Sequence, residues 1–154
     1  MANNEKNILK LIENGCILEC VSGTNTQEVF SEICKNVPLP NYIDKNDFFA
    51  QICEREKSIS TAIGKGIAIP HPCQNMLKSI DDQRIFLCFL ENAIDMKAFD
   101  GEKVSMMFVI LSYSQEEHLK ILQKLAMLLQ NKNFKDFLET KPKLESLREF
   151  LDSV

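Results

Sequence analysis

His71 is one of only two histidines in the chain, and it stands between two prolines at the end of a short apolar segment. Pro70 and Pro72 restrict the backbone on both sides of it, so the imidazole has little freedom to move. A histidine held in this way suits a nucleophile or a ligand. The alternative is a half-buried histidine that caps a strand end and hydrogen-bonds to the backbone.

Four further residues have side chains that suit an anion. Arg55 falls in the last turn of a predicted helix, where it either complements the helix dipole or binds an anionic group. His118 falls in the first turn of another helix, which disfavours an imidazolium and favours a nearby anion. Its alternative role is that of a boundary histidine packed on leucines. Ser60 and Thr61 could donate hydrogen bonds to phosphate oxygens, or could serve only the turn after the helix.

Strand and helix patterns are mixed along the whole chain, and they must position these residues. Apolar, strand-like runs occur at residues 17–21, 67–69, 84–90 and 104–111. Helical spacing with capping or stop signals occurs at residues 24–35, 44–57, 114–129, 131–138 and 144–151. Two strands are apolar at nearly every position, which is typical of central strands covered on both faces. The pattern therefore predicts an α/β fold with helices available for both faces of a sheet.

The predicted helix at residues 114–129 has the clearest signals in the chain. A capping box at Ser114-Gln115-Glu116-Glu117 opens it. Seven apolar residues are expected to form its buried stripe: Leu119, Ile121, Leu122, Leu125, Ala126, Leu128 and Leu129. His118 shares a face with three of these leucines, so we expect its ring at the edge of the core.

Composition excludes several classes of function. The chain has 154 residues, of which 45% are apolar and 26% charged, so we expect residues 1–154 to form a single domain. A net charge of −4 with interspersed signs gives no basic stripe for nucleic acid. No apolar run is long enough to cross a bilayer, and no signal-peptide core opens the sequence. We therefore expect a cytoplasmic protein without membrane insertion.

Six cysteines are scattered without paired spacing, at positions 16, 20, 34, 53, 73 and 88. They are typical of reduced, mostly buried thiols in a cytosolic protein. A zinc site at His71 and Cys73 is the alternative, but zinc usually takes three or four protein ligands and no Cys-x-x-Cys supplies the others. Gly64 and Gly66 lack the third glycine and the helix of a nucleotide-binding fingerprint. We expect no metal and no cofactor.

The sequence resembles the enzyme IIA domains of the bacterial phosphoenolpyruvate-dependent sugar phosphotransferase system. Among these domains, the sequence is similar to the fructose and mannitol type, which includes the nitrogen-regulatory IIA proteins. The resemblance covers nearly the whole chain and rests on four motifs that occur in the family's order: Arg55-Glu56, residues 60–72, Ala98-Phe99-Asp100-Gly101, and Glu117-His118-Leu119. It implies a central mixed β-sheet flanked on both faces by α-helices.

The resemblance also implies a role for each candidate residue. His71 would take a phosphoryl group from the histidine phosphocarrier protein, as a tele-phosphohistidine, and pass it to a cysteine of a IIB partner. Arg55 and His118 would lie beside it and neutralise the negative charge of the phosphoryl oxygens. Thr61, and as a second candidate Ser60, would add hydroxyl donors. Neither magnesium nor a nucleotide would be needed.

Two features separate this chain from the family pattern. Cys73 and Gln74 follow Pro72 where the family often has a basic residue, and Lys65 stands where asparagine is frequent. The resemblance leaves two roles open: a carrier that serves sugar transport, and a nitrogen-type regulator whose phosphorylation state selects the target protein that it binds.

Overall fold

The computed structural model describes residues 3–153 and has a five-stranded sheet at its centre. The strands are β1 (Cys16–Val21), β2 (Ala62–Gly64), β3 (Ile67–Ala68), β4 (Arg84–Ile94) and β5 (Val104–Leu111). The α-helices of this part are α1 (Asn3–Asn14), α2 (Thr26–Asn36), α3 (Lys45–Ser58), α4 (Gln115–Leu129), α5 (Lys132–Leu138) and α6 (Leu144–Asp152). A short 3₁₀ helix, Ile80–Asp82, leads into β4.

The sheet is mixed, with the strand order β1-β4-β5-β3-β2. Strand β1 is parallel to β4, and β3 is parallel to β5. The pairs β4–β5 and β2–β3 are antiparallel. Because β3 and β5 run in the same direction, the segments that follow them reach the same edge of the sheet. His71 follows β3 and His118 follows β5, so this topology brings the two histidines together.

Helices cover both faces of the sheet, which confirms the predicted α/β architecture. On one face, the buried residues of α2 and α3, including Phe30, Phe48 and Ile52, pack on alternate residues of β4 and β5. On the other face, α1, α4, α5 and α6 pack on the residues between them, such as Phe89 and Phe108. Alternation along a strand sends neighbouring side chains to opposite faces, so two continuous cores arise from these apolar runs.

The predicted helix starts are confirmed by caps formed by short polar side chains. Asn25, Asp44, Ser114 and Asn131 each accept hydrogen bonds from backbone N–H groups in the first turn that follows. These caps satisfy donors that have no partner inside a helix. Each of these helices therefore begins within two residues of its predicted start.

Three elements were not among the predicted ones: helix α1, strand β2 and the short 3₁₀ helix Ile80–Asp82. Helix α1 carries its buried residues Ile8, Leu9 and Ile12 at helical spacing, but this stripe of three residues is short. Strand β2 is too short for a period-two pattern, and it forms only as the partner of β3 in a hairpin. Its turn consists of Lys65 and Gly66, both with positive φ, at 57° and 80°.

The predicted buried stripe of α4 is wrong at two positions. Leu119 is 56% exposed, and Ala126 is also exposed, whereas Ile121, Leu125 and Leu128 are buried. At about 100° per residue, Leu119 and Ala126 lie together on the flank of the helix, away from the line that faces the sheet. The apolar positions of α4 therefore form a band wider than the surface that the core covers.

Candidate functional site

His71 is held in place through the backbone of the segment that follows β3. The Ile69 N–H donates to the Thr61 carbonyl at 3.0 Å, and the Ile110 N–H donates to the Pro70 carbonyl at 2.9 Å. The half-buried ring of His71 places Nδ1 2.9 Å from the carbonyl oxygen of Ile69. A carbonyl can only accept, so Nδ1 carries the proton of the neutral ring. The lone pair then lies on Nε2.

The pKa of His71 is lowered from its ordinary value. Burial is the main cause, and the positive charge of Arg55 acts in the same direction. The bond to Ile69 and the charge of Glu56 oppose it, but they do not reverse the shift. A lowered pKa keeps the imidazole neutral at pH 7, and only a neutral ring has a nitrogen lone pair that can attack phosphorus.

His118 lies in the first turn of α4, and its ring faces that of His71. The ring centroids are 4.3 Å apart, with 46° between the planes. His118 is only 6% exposed, so the prediction that it lies at the edge of the core is confirmed. Burial lowers its pKa to about 4, with further contributions from His71 and Arg55. Both histidines are therefore neutral at physiological pH.

Arg55 lies in the last turn of α3, as predicted, and is half buried. Its Nη1 donates to the carbonyl of Ile59 at 2.8 Å, which orients the guanidinium at the helix end. The positive charge of Arg55 lowers the pKa of both His71 and His118, so the guanidinium is close enough to act electrostatically on both rings. The bond to Ile59 uses one of five N–H donors, and the fork geometry of the others matches phosphoryl oxygens.

The two predicted hydroxyl donors have partners within the protein. Thr61 is buried, and its Oγ1 donates to Glu56 Oε1 at 2.6 Å, while its backbone N–H donates to the other carboxylate oxygen at 2.8 Å. Ser60 Oγ donates to the Met96 carbonyl at 2.5 Å. A hydroxyl has a single proton to donate, so Thr61 would have to leave Glu56 to serve an anion. Its role at the site stays a prediction.

Three functional candidates were missed by the sequence analysis: Glu56, Gln83 and Ser112. Glu56 holds the backbone and side chain of Thr61, and Ser112 Oγ lies 3.3 Å from Nδ1 of His118. Gln83 is buried and accepts from the N–H of Tyr113 at 2.9 Å. Each acts through a hydrogen bond that depends on the folded backbone, and neither spacing nor composition signals such a contact. A polar residue directly after an apolar strand was the one available sign for Ser112.

The segment after His71 is fastened to α3 by Gln51. The Gln51 side-chain oxygen accepts from Cys73 Sγ at 2.8 Å and from the Gln74 N–H at 3.0 Å. The Cys73 N–H also donates to the Gln51 carbonyl at 3.3 Å. Because Gln51 precedes Arg55 by one helical turn, the same helix positions the arginine and the chain beyond His71. Among residues 3–153, no three His, Cys, Asp or Glu side chains lie together as a metal would need.

The histidine pair lies outside the deep cleft that borders this part of the fold. That cleft, of about 730 Å³, is lined by α2, the end of α3 and residues 95–97, and neither His71 nor His118 contributes to it. His71 is half buried, so part of the residue is exposed to solvent outside this cleft. Over the part of the chain that the structure describes, no helix is long and apolar enough to span a bilayer.

Comparisons with known proteins agree on one family. The model of the family described as phosphoenolpyruvate-dependent sugar phosphotransferase system, EIIA 2, matches residues 2–154. A nitrogen regulatory protein of Pseudomonas aeruginosa is 31% identical over 153 residues, which cover 94% of each chain. The crystal structure of the nitrogen regulatory protein IIA-Ntr of Neisseria meningitidis has a TM-score of 0.73 and 26% identity, covering 88% of this chain and 92% of that one.

A third neighbour shows the fold alone. It is the enzyme IIA of the Escherichia coli mannitol system, solved in complex with phosphorylated enzyme IIB, with a TM-score of 0.65 and 16% identity. The match covers 90% of this chain and 94% of that one. The predicted resemblance is therefore confirmed by a sequence match over nearly the whole chain and by structural neighbours of both the nitrogen-regulatory and the mannitol type.

Proposed function

Because the chain belongs to the EIIA 2 family of the phosphoenolpyruvate-dependent sugar phosphotransferase system, we propose that His71 is its phosphoryl acceptor. The group would come from the histidine phosphocarrier protein and would pass to a cysteine of a IIB partner. The observation that carries this proposal is the bond between Nδ1 of His71 and the Ile69 carbonyl, which leaves Nε2 with the free lone pair.

The chemistry needs little covalent machinery. Nε2 of His71 attacks the phosphorus of the donor's phosphohistidine in line, the new N–P bond forms, and the electrons of the breaking N–P bond return to the donor's imidazole. The proton stays on Nδ1 throughout and remains hydrogen-bonded to the Ile69 carbonyl. In the second step the thiolate of the IIB cysteine attacks phosphorus, and the N–P bond to His71 breaks. The product of the first step is a tele-phosphohistidine.

Arg55 and His118 would supply the positive charge and the hydrogen bonds that the transferred group requires. Arg55 brings a permanent charge with unused donors, and the buried ring of His118 lies against His71. Donors fixed before the reaction stabilise charge without reorganising during it. Thr61 is proposed as a further donor only if its hydroxyl moves from Glu56 to a phosphoryl oxygen.

The proposal is tested by incubating the chain with phosphoenolpyruvate, enzyme I and the phosphocarrier protein. Intact-mass measurement should show one added phosphoryl group that is lost in acid, and His71→Ala should gain none. Arg55→Gln and His118→Ala, which keep the acceptor, should become phosphorylated on the order of 10²-fold more slowly, the effect of removing one fixed donor. A wild-type chain that gains no mass, alongside a IIA control that does, refutes the proposal.

A regulatory role is the second candidate, and the identity of two relatives favours it. The Pseudomonas protein and the Neisseria structure both carry the name of nitrogen regulatory protein. In this role phosphorylation of His71 would add about two negative charges to an exposed surface and so change which target protein binds. Pull-downs with the wild type and His71→Asp would show targets that bind one form only.

Transfer to a IIB cysteine separates the two roles. The mannitol-type structural neighbour was solved with phosphorylated IIB, which supports a IIB partner for a protein of this fold. Rapid transfer to a IIB domain without any state-dependent target favours sugar transport, and the reverse result favours regulation.

We propose that residues 1–154 act as one domain in the cytoplasm, in keeping with six cysteines that all carry free thiols.

A further inference from the structure

Ser112 contacts one ring nitrogen of His118, the neighbour of His71. It is the first residue after β5, it is buried, and its Oγ lies 3.3 Å from Nδ1 of His118. Nδ1 is thereby occupied, and Nε2 is the ring nitrogen of His118 that is left for the phosphoryl group. The state of Nε2 then depends on which partner donates in the bond between Ser112 and Nδ1.

The two possible directions of this bond give opposite properties to the site. If Nδ1 of His118 donates to Ser112, Nε2 has a lone pair, which repels phosphoryl oxygens. If Ser112 donates, Nε2 carries the hydrogen and a neutral ring can donate to those oxygens. Nε2 of His71 also has a lone pair, because its Nδ1 is bonded to Ile69. The two rings are neighbours, with centroids 4.3 Å apart, and the proposed function requires His118 to donate to a phosphoryl group on His71, which favours the second direction.

We propose that Ser112 is a positioning residue whose hydroxyl donates to Nδ1 of His118 and so fixes the tautomer with the proton on Nε2. The proposal deepens the proposed function and rests on it, since it concerns the donor that meets the phosphoryl group. A hydroxyl suits this task better than a carbonyl. It donates to the neutral ring, and it can rotate to accept from Nδ1 if His118 becomes protonated in the phosphorylated protein.

A buried amide holds the turn between the two residues in place. Gln83 accepts from the N–H of Tyr113 at 2.9 Å, and its Nε2 donates to Glu117 Oε1 at 3.4 Å. Tyr113 follows Ser112, and Glu117 precedes His118. The geometry of the bond between Ser112 and His118 is thus set from both sides of the turn, as a positioning role requires.

The decisive measurement is the tautomer of His118 in the unmodified wild-type protein. With ¹⁵N-labelled histidine, long-range ¹H–¹⁵N correlation spectra at pH 7 distinguish a protonated Nδ1 from a protonated Nε2. The chain has only two histidines, so the spectrum is simple, and His71→Ala assigns the signals. We expect the proton on Nδ1 in His71 and on Nε2 in His118. A proton on Nδ1 of His118 overturns the proposal.

Ser112→Ala tests whether the hydroxyl is the cause. We expect a mixture of His118 tautomers and a phosphorylation rate about tenfold lower, with an unchanged dependence on phosphocarrier concentration. Ser105→Ala removes an exposed serine of β5, the strand that precedes Ser112, and is the matched control that should behave as wild type. A Ser112→Ala protein that keeps the Nε2 tautomer overturns the proposal. The spectra need no phosphoryl transfer, so failure of the proposed function is seen separately, as absent phosphorylation of wild type.

Discussion

Phosphorylation of His71 would place about two negative charges beside the buried, neutral ring of His118. In the unmodified protein, burial and the charge of Arg55 hold the pKa of His118 at about 4. A negative charge favours the imidazolium, so the phosphoryl group must raise this pKa. The size of the rise decides whether His118 meets the phosphoryl group as a neutral donor or as a cation.

The geometry gives the scale of the rise. The two ring centroids are 4.3 Å apart. At a separation of about 4 Å and an effective dielectric constant of about 20, one pair of unit charges interacts by about 4 kcal/mol. Since each pKa unit corresponds to about 1.4 kcal/mol, one negative charge raises the pKa of His118 by about three units. The pKa in the phosphorylated protein is therefore expected at about 7 or above.

An NMR titration of the imidazole signals measures this shift directly. Spectra of free and phosphorylated protein should be recorded from pH 4.5 to 8.5, with His118→Gln as the control that identifies the second ring. In free protein the His118 signals should stay nearly constant at pH values above about 5.5 and begin to shift only below it, and in phosphorylated protein they should titrate near neutral pH. A pKa below about 5 in the phosphorylated protein would refute the reasoning, because the ring would then lie outside the field of the phosphoryl group.

Three further predictions concern stability and reactivity. Lowering the pH from 7 to 5 should reduce the free energy of unfolding by about 2 kcal/mol through His118. In the unfolded chain the imidazole of His118 has a pKa of 6.5 and takes up a proton in this range, whereas in the folded protein it stays neutral until about pH 4. Urea denaturation of His118→Gln should lack this loss, and a full loss in the variant would contradict the assignment. Mass-mapped alkylation should modify the exposed Cys73 before the buried Cys88, whose pKa is raised well above its ordinary value by burial, and equal rates would be inconsistent with the fold. Lys65→Asn should stabilise the hairpin by about 1 kcal/mol because Lys65 has a φ of 57°, whereas Lys65→Ala, with the same backbone strain, should not.

Most of the fold could be predicted because its signals are local. Strands β4 and β5 are long apolar runs, and the caps at Asp44 and Ser114 mark helix starts within a few residues of their own positions. Strand β2 could not be predicted, since three residues carry no period and pair only because β3 is adjacent. The exposure of Leu119 likewise depends on how far the sheet extends beneath α4, which is a property of the packed structure.

The residues of the site can also be divided into those that the sequence could predict and those that it could not. His71, Arg55 and His118 could be proposed because a proline-flanked histidine and two helix-end residues match a family pattern. The roles of Ser112 and Glu56 could not be predicted, since they lie in hydrogen bonds to a single residue each, His118 for Ser112 and Thr61 for Glu56. The hydrogen bond that Thr61 donates to Glu56 also limits the donor role that the sequence suggested for Thr61, because a hydroxyl already donating to a carboxylate is not free to donate to phosphate.

The protonation behaviour of His118 determines how strongly phosphorylation changes the surface that a partner meets. Before phosphorylation Arg55 contributes one positive charge close to two neutral rings. If only the phosphoryl group were added, the charge would change by about −2. If His118 takes up a proton, the change is about −1, and much of the new negative charge is neutralised within the site. A partner that distinguishes the two states would then have to recognise the phosphoryl oxygens and the N–P group themselves, since net charge alone changes little. Partner selection by this site should accordingly become more sensitive to charge as the pH rises above the pKa of His118 in the phosphorylated protein.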